Sequence, residues 1–170
     1  AGEKQAGEKQ AGEKQAGEKQ AGEVHLLLTK RTDILDKHKG QIAFPGGKKE
    51  KNDQNDEETA LREANEEIGL DRRNFSKLGE LCCYYTSTGY EVKPIVGIID
   101  KGTQFVRNGQ EVAEIFTVPL SFLMERKNYV LATKKLGNEV RSFYAISYEN
   151  HYIWGATAGM IRALLERLSQ

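Results

Sequence analysis

The chain has 170 residues, with 25 Lys and Arg against 25 Asp and Glu, and two cysteines. That balance gives no global field to recruit nucleic acid or an anionic membrane, so any phosphate binding must come from local clusters. The longest apolar runs, such as 94–99, fall far short of the roughly 18 residues that a membrane span needs, and no signal-like leader is seen, so a cytoplasmic protein is expected.

Residues 1–23 are AGEKQ four times followed by AGE. With no aromatic or branched side chain the repeat has no face to bury, and a glycine every fifth residue costs about 1 kcal/mol against alanine in a helix. It reads as a tag, linker or stand-in, which leaves 24–170 as one domain, long enough for a core without metal or disulfide staples. Cys82 and Cys83 are adjacent, with Cα atoms about 3.8 Å apart where an ordinary disulfide wants roughly 4.4–6.8 Å, and read as reduced core thiols.

In chain order, 24–30 (VHLLLTK) predicts a strand, and 41–44 a short extended piece ended by Pro45-Gly46-Gly47. Asn55 with Glu58 makes a capping-box signature that opens a helix to Ile68, stopped at Gly69. Strands are expected at 79–87, 90–99, 103–107 and 112–118, a short helix from Pro119 through Arg126, strands at 129–133 and 140–148, and a last helix over 156–168. Strands around one early and one late helix make an α/β (α+β) layout with helices packed on a sheet. Tyr84, Tyr85, Tyr90 and Trp154 read as core or strand-face residues rather than stacking platforms.

The informative segment is 62–70, REANEEIGL. At about 100° per residue, Ala60, Leu61, Ala64 and Ile68 share one arc of the helix, while Glu63, Glu66 and Glu67 share another beside it. Three carboxylates at i, i+3 and i+4 repel, at some tenths of a kcal/mol per pair. Hard Mg²⁺ or Mn²⁺ reverses that sign, since these ions are held by a few carboxylates together with substrate phosphates. Further upstream, Lys30, Arg31, Lys37, His38 and Lys39 form a basic cluster suited to phosphate groups. His38 has no second histidine at ligand spacing, which argues against a metal role for it.

From Gly47 to Leu70 the chain resembles the Nudix box, Gly-x5-Glu-x7-Arg-Glu-U-x-Glu-Glu-x-Gly-U with U a bulky aliphatic; Arg62, Glu63, Glu66, Glu67, Gly69 and Leu70 match position for position. Ala64 is small for its place, Gly47 lies one residue too far from Arg62, and Asp53 stands in for the middle acid. The longer spacing with an Asp is similar to the coenzyme A diphosphatase branch, as are Leu27-Leu28-Thr29-Lys30-Arg31, His38-Lys39-Gly40-Gln41 and Phe44-Pro45-Gly46-Gly47. The likeness reappears at 90–97, 111–120 and 153–158. It covers most of 24–170 and none of the repeat, which occupies part of the place where a strand usually precedes Leu27–Arg31.

The resemblance implies a Nudix-type α/β/α sandwich with a mixed sheet, and Mg²⁺- or Mn²⁺-dependent hydrolysis of a diphosphate. Glu63, Glu66 and Glu67, with the Gly47 carbonyl, are the implied metal ligands. Arg62 is expected to pair with Asp53 and support the loop, with Gly69 ending the helix. The general base is a box glutamate such as Glu63 or one from a distant loop, where Glu111 is the first candidate and Glu114 the second. Lys30, Arg31, His38, Gln41 and Phe44 are the expected substrate contacts. The implied substrate is coenzyme A or an acyl-CoA, split to 3′,5′-ADP and (acyl-)phosphopantetheine. The alternatives are another nucleotide (ADP-ribose, NADH or a dinucleoside polyphosphate) and, last, a non-catalytic scaffold. No stable nucleic-acid or membrane partner is expected, and the protein is read as a monomer or homodimer.

Overall fold

A computed structural model describes residues 22–34, 39–137 and 139–170, with the backbone alone at Leu136. Residues 1–21 lie outside it, as does any strand preceding Leu27–Arg31 that would fall there; so do Lys37 and His38.

The apolar run Leu26-Leu27-Leu28 lies in β1 (His25–Arg31), which pairs antiparallel with β2 (Ile42–Ala43) on one side and β7 (Val112–Pro119) on the other. Leu28 opposite Phe116 and Leu27 opposite Thr117 set the β1–β7 register. Successive side chains of a strand point to opposite faces, so this sheet serves two cores. On one face Leu27 and Ile115 meet Leu61, Ala64 and Ile68 of α1 (Asp56–Ile68). On the other, Leu28, Phe116 and Val118 meet the second layer. There β8 (Tyr129–Leu136), β9 (Glu139–Tyr148) and β10 (His151–Trp154) form an antiparallel sheet, backed by α3 (Ala156–Leu168) through Ala158, Ile161 and Leu165. The result is the expected α+β class, and every described strand pairing is antiparallel, where a mixed sheet was expected.

Helix α1 begins and ends as its sequence dictates. The Asn55 side chain accepts the Glu58 N–H at 2.9 Å, while the Glu58 carboxylate reaches back one residue earlier than expected, to the Gln54 N–H. Gly69 closes the helix at φ 67°, donating to the Ala64 and Asn65 carbonyls.

Between the layers the expected strands are redistributed. The segment read as 79–87 becomes β3 (Phe75–Glu80) and β4 (Tyr84–Tyr85). That read as 90–99 is split by Pro94 into β5 (Glu91–Val92) and β6 (Ile95–Ile99), since proline cannot donate to a ladder. β3 pairs with β6 and β4 with β5. Residues 103–107 are not a strand: Val106 N–H and Asn108 N–H donate to the Ile68 and Glu67 carbonyls, serving the open end of α1. The short helix after Pro119 is α2 (Leu120–Met124), and β10 was not expected at all. Its tight turn from β9 runs through Glu149, the one described non-glycine residue at positive φ, without the Asn-Gly signature that marks such turns. Cys82 is exposed and Cys83 half-buried, so neither is a core thiol. Tyr85 and Tyr90 are likewise exposed.

Two stability results are expected. Gly69→Ala costs about 1–2 kcal/mol, because an added Cβ is disfavoured at left-handed φ and meets Val106 backbone at 3.3 Å, and calorimetry should show Tm falling by several degrees. Removal of residues 1–21 is expected to leave Tm unchanged; a clear fall would show that the repeat stands in for a structural element.

Candidate active site

The site is assembled where the loop between β2 and α1, residues 44–55, crosses α1. An added Cβ at Gly47 would lie 2.3 Å from the Glu63 carboxyl carbon, so any larger residue there would displace that carboxylate from the loop backbone. The preceding Gly46 N–H donates to Glu67 at 3.3 Å. Arg62 fastens loop to helix: its guanidinium donates to Asp53 at 3.0–3.1 Å, to the Lys48 carbonyl at 2.9 Å, and to Glu63 at 3.0 Å. Glu66 accepts from the same guanidinium at 3.3 Å. Asp53 is held in turn by the Glu50 N–H and the Thr59 hydroxyl, and the Arg62 guanidinium, with the Glu50 N–H behind it, holds its carboxyl far below the usual range.

The carboxylates differ sharply in environment. Glu67 is 5% exposed; burial, aided by the charges of Glu63 and Glu111, pushes its carboxyl up to about 7 against the pull of Gly46 N–H and Arg31. Burial also raises Glu63, opposed by Arg62 and reinforced by Glu66 and Glu111. Both glutamates therefore feel Glu111, which the structure brings to the cluster. Asn108 links them: its N–H donates to the Glu67 carbonyl at 2.8 Å and its side-chain amide reaches Glu111 at 3.5 Å. Thr32 pins the same loop, donating from its N–H to the Glu111 carbonyl and from its hydroxyl to the Gln110 carbonyl. Neither Thr32 nor Asn108 carries a sequence signal for this work beyond standing next to Arg31 and Gly109.

Glu114 goes elsewhere. It lies on the opposite face of β7 from Ile115, which packs toward α1, and its carboxylate is 3.1 Å from His151 Nε2. The His151 ring stacks on Phe116 at 3.7 Å between centroids. Glu114 is thus engaged in the second layer and is not gathered with the box glutamates, because adjacent strand residues face opposite ways.

Among the described residues no three His, Cys, Asp or Glu side chains converge into a finished cation cage. Glu63 and Glu66 turn to Arg62, and Glu67 turns inward to Gly46. The donor set nevertheless fits a hard divalent cation: oxygen ligands only, with Glu67 buried and Glu63 half-buried and mutually repelling, beside a glycine carbonyl with no side chain in the way.

A large cleft that reaches the loop glycines Gly46 and Gly47 is lined also by Arg31, Lys39, Gln41 and Phe44 among others. Of the expected substrate contacts, Arg31 is the most telling: its Nε is buried without a hydrogen-bond partner among the described residues, within electrostatic reach of Glu67. Phe44 also packs against the second core. Lys30 stands opposite Glu114 in the β1–β7 ladder and shares its face, away from α1. His38 lies outside the described residues.

The NUDIX domain family matches residues 16–137. Two curated relatives, both described as an uncharacterized Nudix hydrolase NudL, are 40% identical over 144 residues in Yersinia enterocolitica and 43% over 145 in Yersinia pestis. Each match covers 85% of this chain, and 74% and 72% of the relative. A Caenorhabditis elegans Ap4A hydrolase solved as a binary complex superposes with a TM-score of 0.51 at 16% identity, over 59% of this chain and 73% of that one, a likeness of fold.

Removing the Glu67 charge tests the electrostatics. In metal-free protein the unfolded Glu67 ionises near its ordinary 4.5 and the folded one only near 7. The folded state thus binds the extra proton between these values, and the stability this group contributes below 4.5 is lost as pH rises through about 7. Glu67→Gln should raise Tm over the parent at pH 8 in chelator, with the gain vanishing near pH 4.5, while metal-dependent activity falls to a small fraction.

Proposed function

Because the chain belongs to the Nudix hydrolase family, whose members act on diphosphate linkages and generally need divalent metal ions, we propose that it hydrolyses coenzyme A or an acyl-CoA to 3′,5′-ADP and (acyl-)phosphopantetheine with Mg²⁺ or Mn²⁺. The observation that carries this reading is Arg31. A buried guanidinium nitrogen without a partner is costly, and an anion in the cleft beside Glu67 removes that cost. It stands in the Leu-Leu-Thr-x-Arg phrase that the coenzyme A branch shares.

Glu63, Glu66, Glu67 and the Gly47 carbonyl would hold the metal, which when bound neutralises phosphate charge and lowers the pKa of water. Arg62 would keep loop and helix in register. Glu111, near the carboxylates and fixed by Thr32 and Asn108, would accept the proton of the attacking water, a role that its half-buried place suits better than the paired Glu114. Arg31 would face the diphosphate. Lys39, with Gln41 on the same cleft, would meet the 3′-phosphate end of the nucleotide.

A substrate panel read by product identity tests the reading. Coenzyme A exceeds dephospho-coenzyme A by one 3′-phosphate, and losing one or two charge-assisted hydrogen bonds of about 1.5–3 kcal/mol each predicts at least a tenfold lower kcat/KM for the dephospho form. Lys39→Ala should narrow that gap, whereas Arg31→Ala should depress both substrates together. Equal efficiency on the two, or faster turnover of ADP-ribose than of either, would transfer the chain to another nucleotide. EDTA should abolish turnover in every case.

A further inference from the structure

We infer that Tyr90 and Lys48 form a nucleoside subsite, in which the substrate's planar base stacks on the Tyr90 ring and the Lys48 ammonium meets the adjoining diphosphate. The inference rests on the reading of the site as one for a nucleoside diphosphate and adds to it the residues that seat the base.

Tyr90 is half exposed, on the turn that joins β4 to β5. An unused exposed tyrosine on a loose loop would carry no meaning, but this turn is held firmly. Thr86 N–H donates to the Tyr90 carbonyl at 2.8 Å, Tyr90 N–H to the Thr86 hydroxyl at 2.9 Å, and Gly89 N–H, at φ 84°, to the Thr86 carbonyl at 3.1 Å. The hairpin is also seated on the domain. Tyr84 at its base lies so near α3 that a Cβ on Gly159 would come within 2.5 Å of the tyrosine hydroxyl. Such ordering lowers the entropy cost of using the ring as a platform.

Lys48 joins this platform to the carboxylates. Its ammonium lies 5.2 Å from the Tyr90 ring centroid, within cation–π range. Its carbonyl accepts from Arg62 at 2.9 Å, and that guanidinium donates to Glu63 at 3.0 Å. Tyr90, Lys48, Gly47 and Arg31 all line one cleft. Lys48 itself has no ion-pair partner among the described residues, unlike neighbouring Lys49, which pairs with Asp56. An aromatic face, a spare cation and the box glycine thus follow one another along the wall in the order base, phosphate, reacting centre.

Calorimetric titration of the full chain in Mg²⁺ separates base from phosphate with two non-hydrolysable ligands, α,β-methylene-ADP and methylenediphosphonate. Against wild type, Tyr90→Leu should bind α,β-methylene-ADP about tenfold more weakly and methylenediphosphonate unchanged, while Tyr90→Phe holds both within about twofold, since base–aromatic stacking needs the ring alone. Lys48→Met should weaken both ligands. Saturation-transfer NMR on wild type, which needs no variant, should carry magnetisation from tyrosine ring protons to adenine H2 and H8. The inference is overturned if wild type does not bind α,β-methylene-ADP, if Tyr90→Leu keeps its affinity or loses both ligands equally, or if no tyrosine transfer reaches the adenine. These are binding readouts. Failure of every diphosphate to be cleaved would sink the proposed hydrolysis and leave them legible.

Discussion

Everything at the site depends on keeping several carboxylates close together on one side of α1. Three glutamates within one turn and a half repel each other, and burying Glu67 adds a desolvation penalty. Arg62 is what makes the arrangement tolerable. One guanidinium meets Glu63 and Glu66 on the helix and Asp53 and the Lys48 carbonyl on the loop, so the charge that relieves the repulsion also fixes the loop over the helix. Lysine, with a point charge and no planar fork, has no comparable way to hold both sides. Arg62 engages Glu63 and Glu66, whereas Glu67, buried on the inner side of the helix, accepts the Gly46 N–H instead.

Much of this was legible in the sequence wherever the signal was local. The Asn55 cap, the Gly69 stop and the apolar stripe of α1 each depend on residues within a few positions, and the capping bonds, the αL glycine and the buried Leu61, Ala64 and Ile68 follow. The Arg62–Asp53 pair was visible because both residues stand in one motif. What was not legible depends on which strand face a residue takes and on partners far away. Glu111 and Glu114 are three apart in a strand-like stretch, and only the β1–β7 register, with the loop that enters it, sends one toward α1 and the other to His151. Cys82, Cys83 and Tyr90 looked like core by composition; the break at Pro94 and the short β4–β5 hairpin leave them at the surface or half buried.

The expected strand at 103–107 and the position of Glu111 share one cause. A helix ends with carbonyls that have no partner within it, and α1 ends in a cramped place, against Leu27, Phe75 and Phe105. Residues 103–107 have the apolar character of a strand, but a strand would leave those carbonyls unserved. The chain lies along the helix end instead, with Val106 N–H on Ile68 and Asn108 N–H on Glu67. Once Asn108 is fixed there, Gly109 and Gln110 have only a tight turn in which to reverse before Val112 enters the ladder opposite Arg31. Glu111 N–H and Val112 N–H close that turn on the Asn108 carbonyl, and Thr32 holds its outer side. Glu111 is thus delivered to the carboxylate cluster by hydrogen bonds whose first purpose is to finish the helix that carries the cluster.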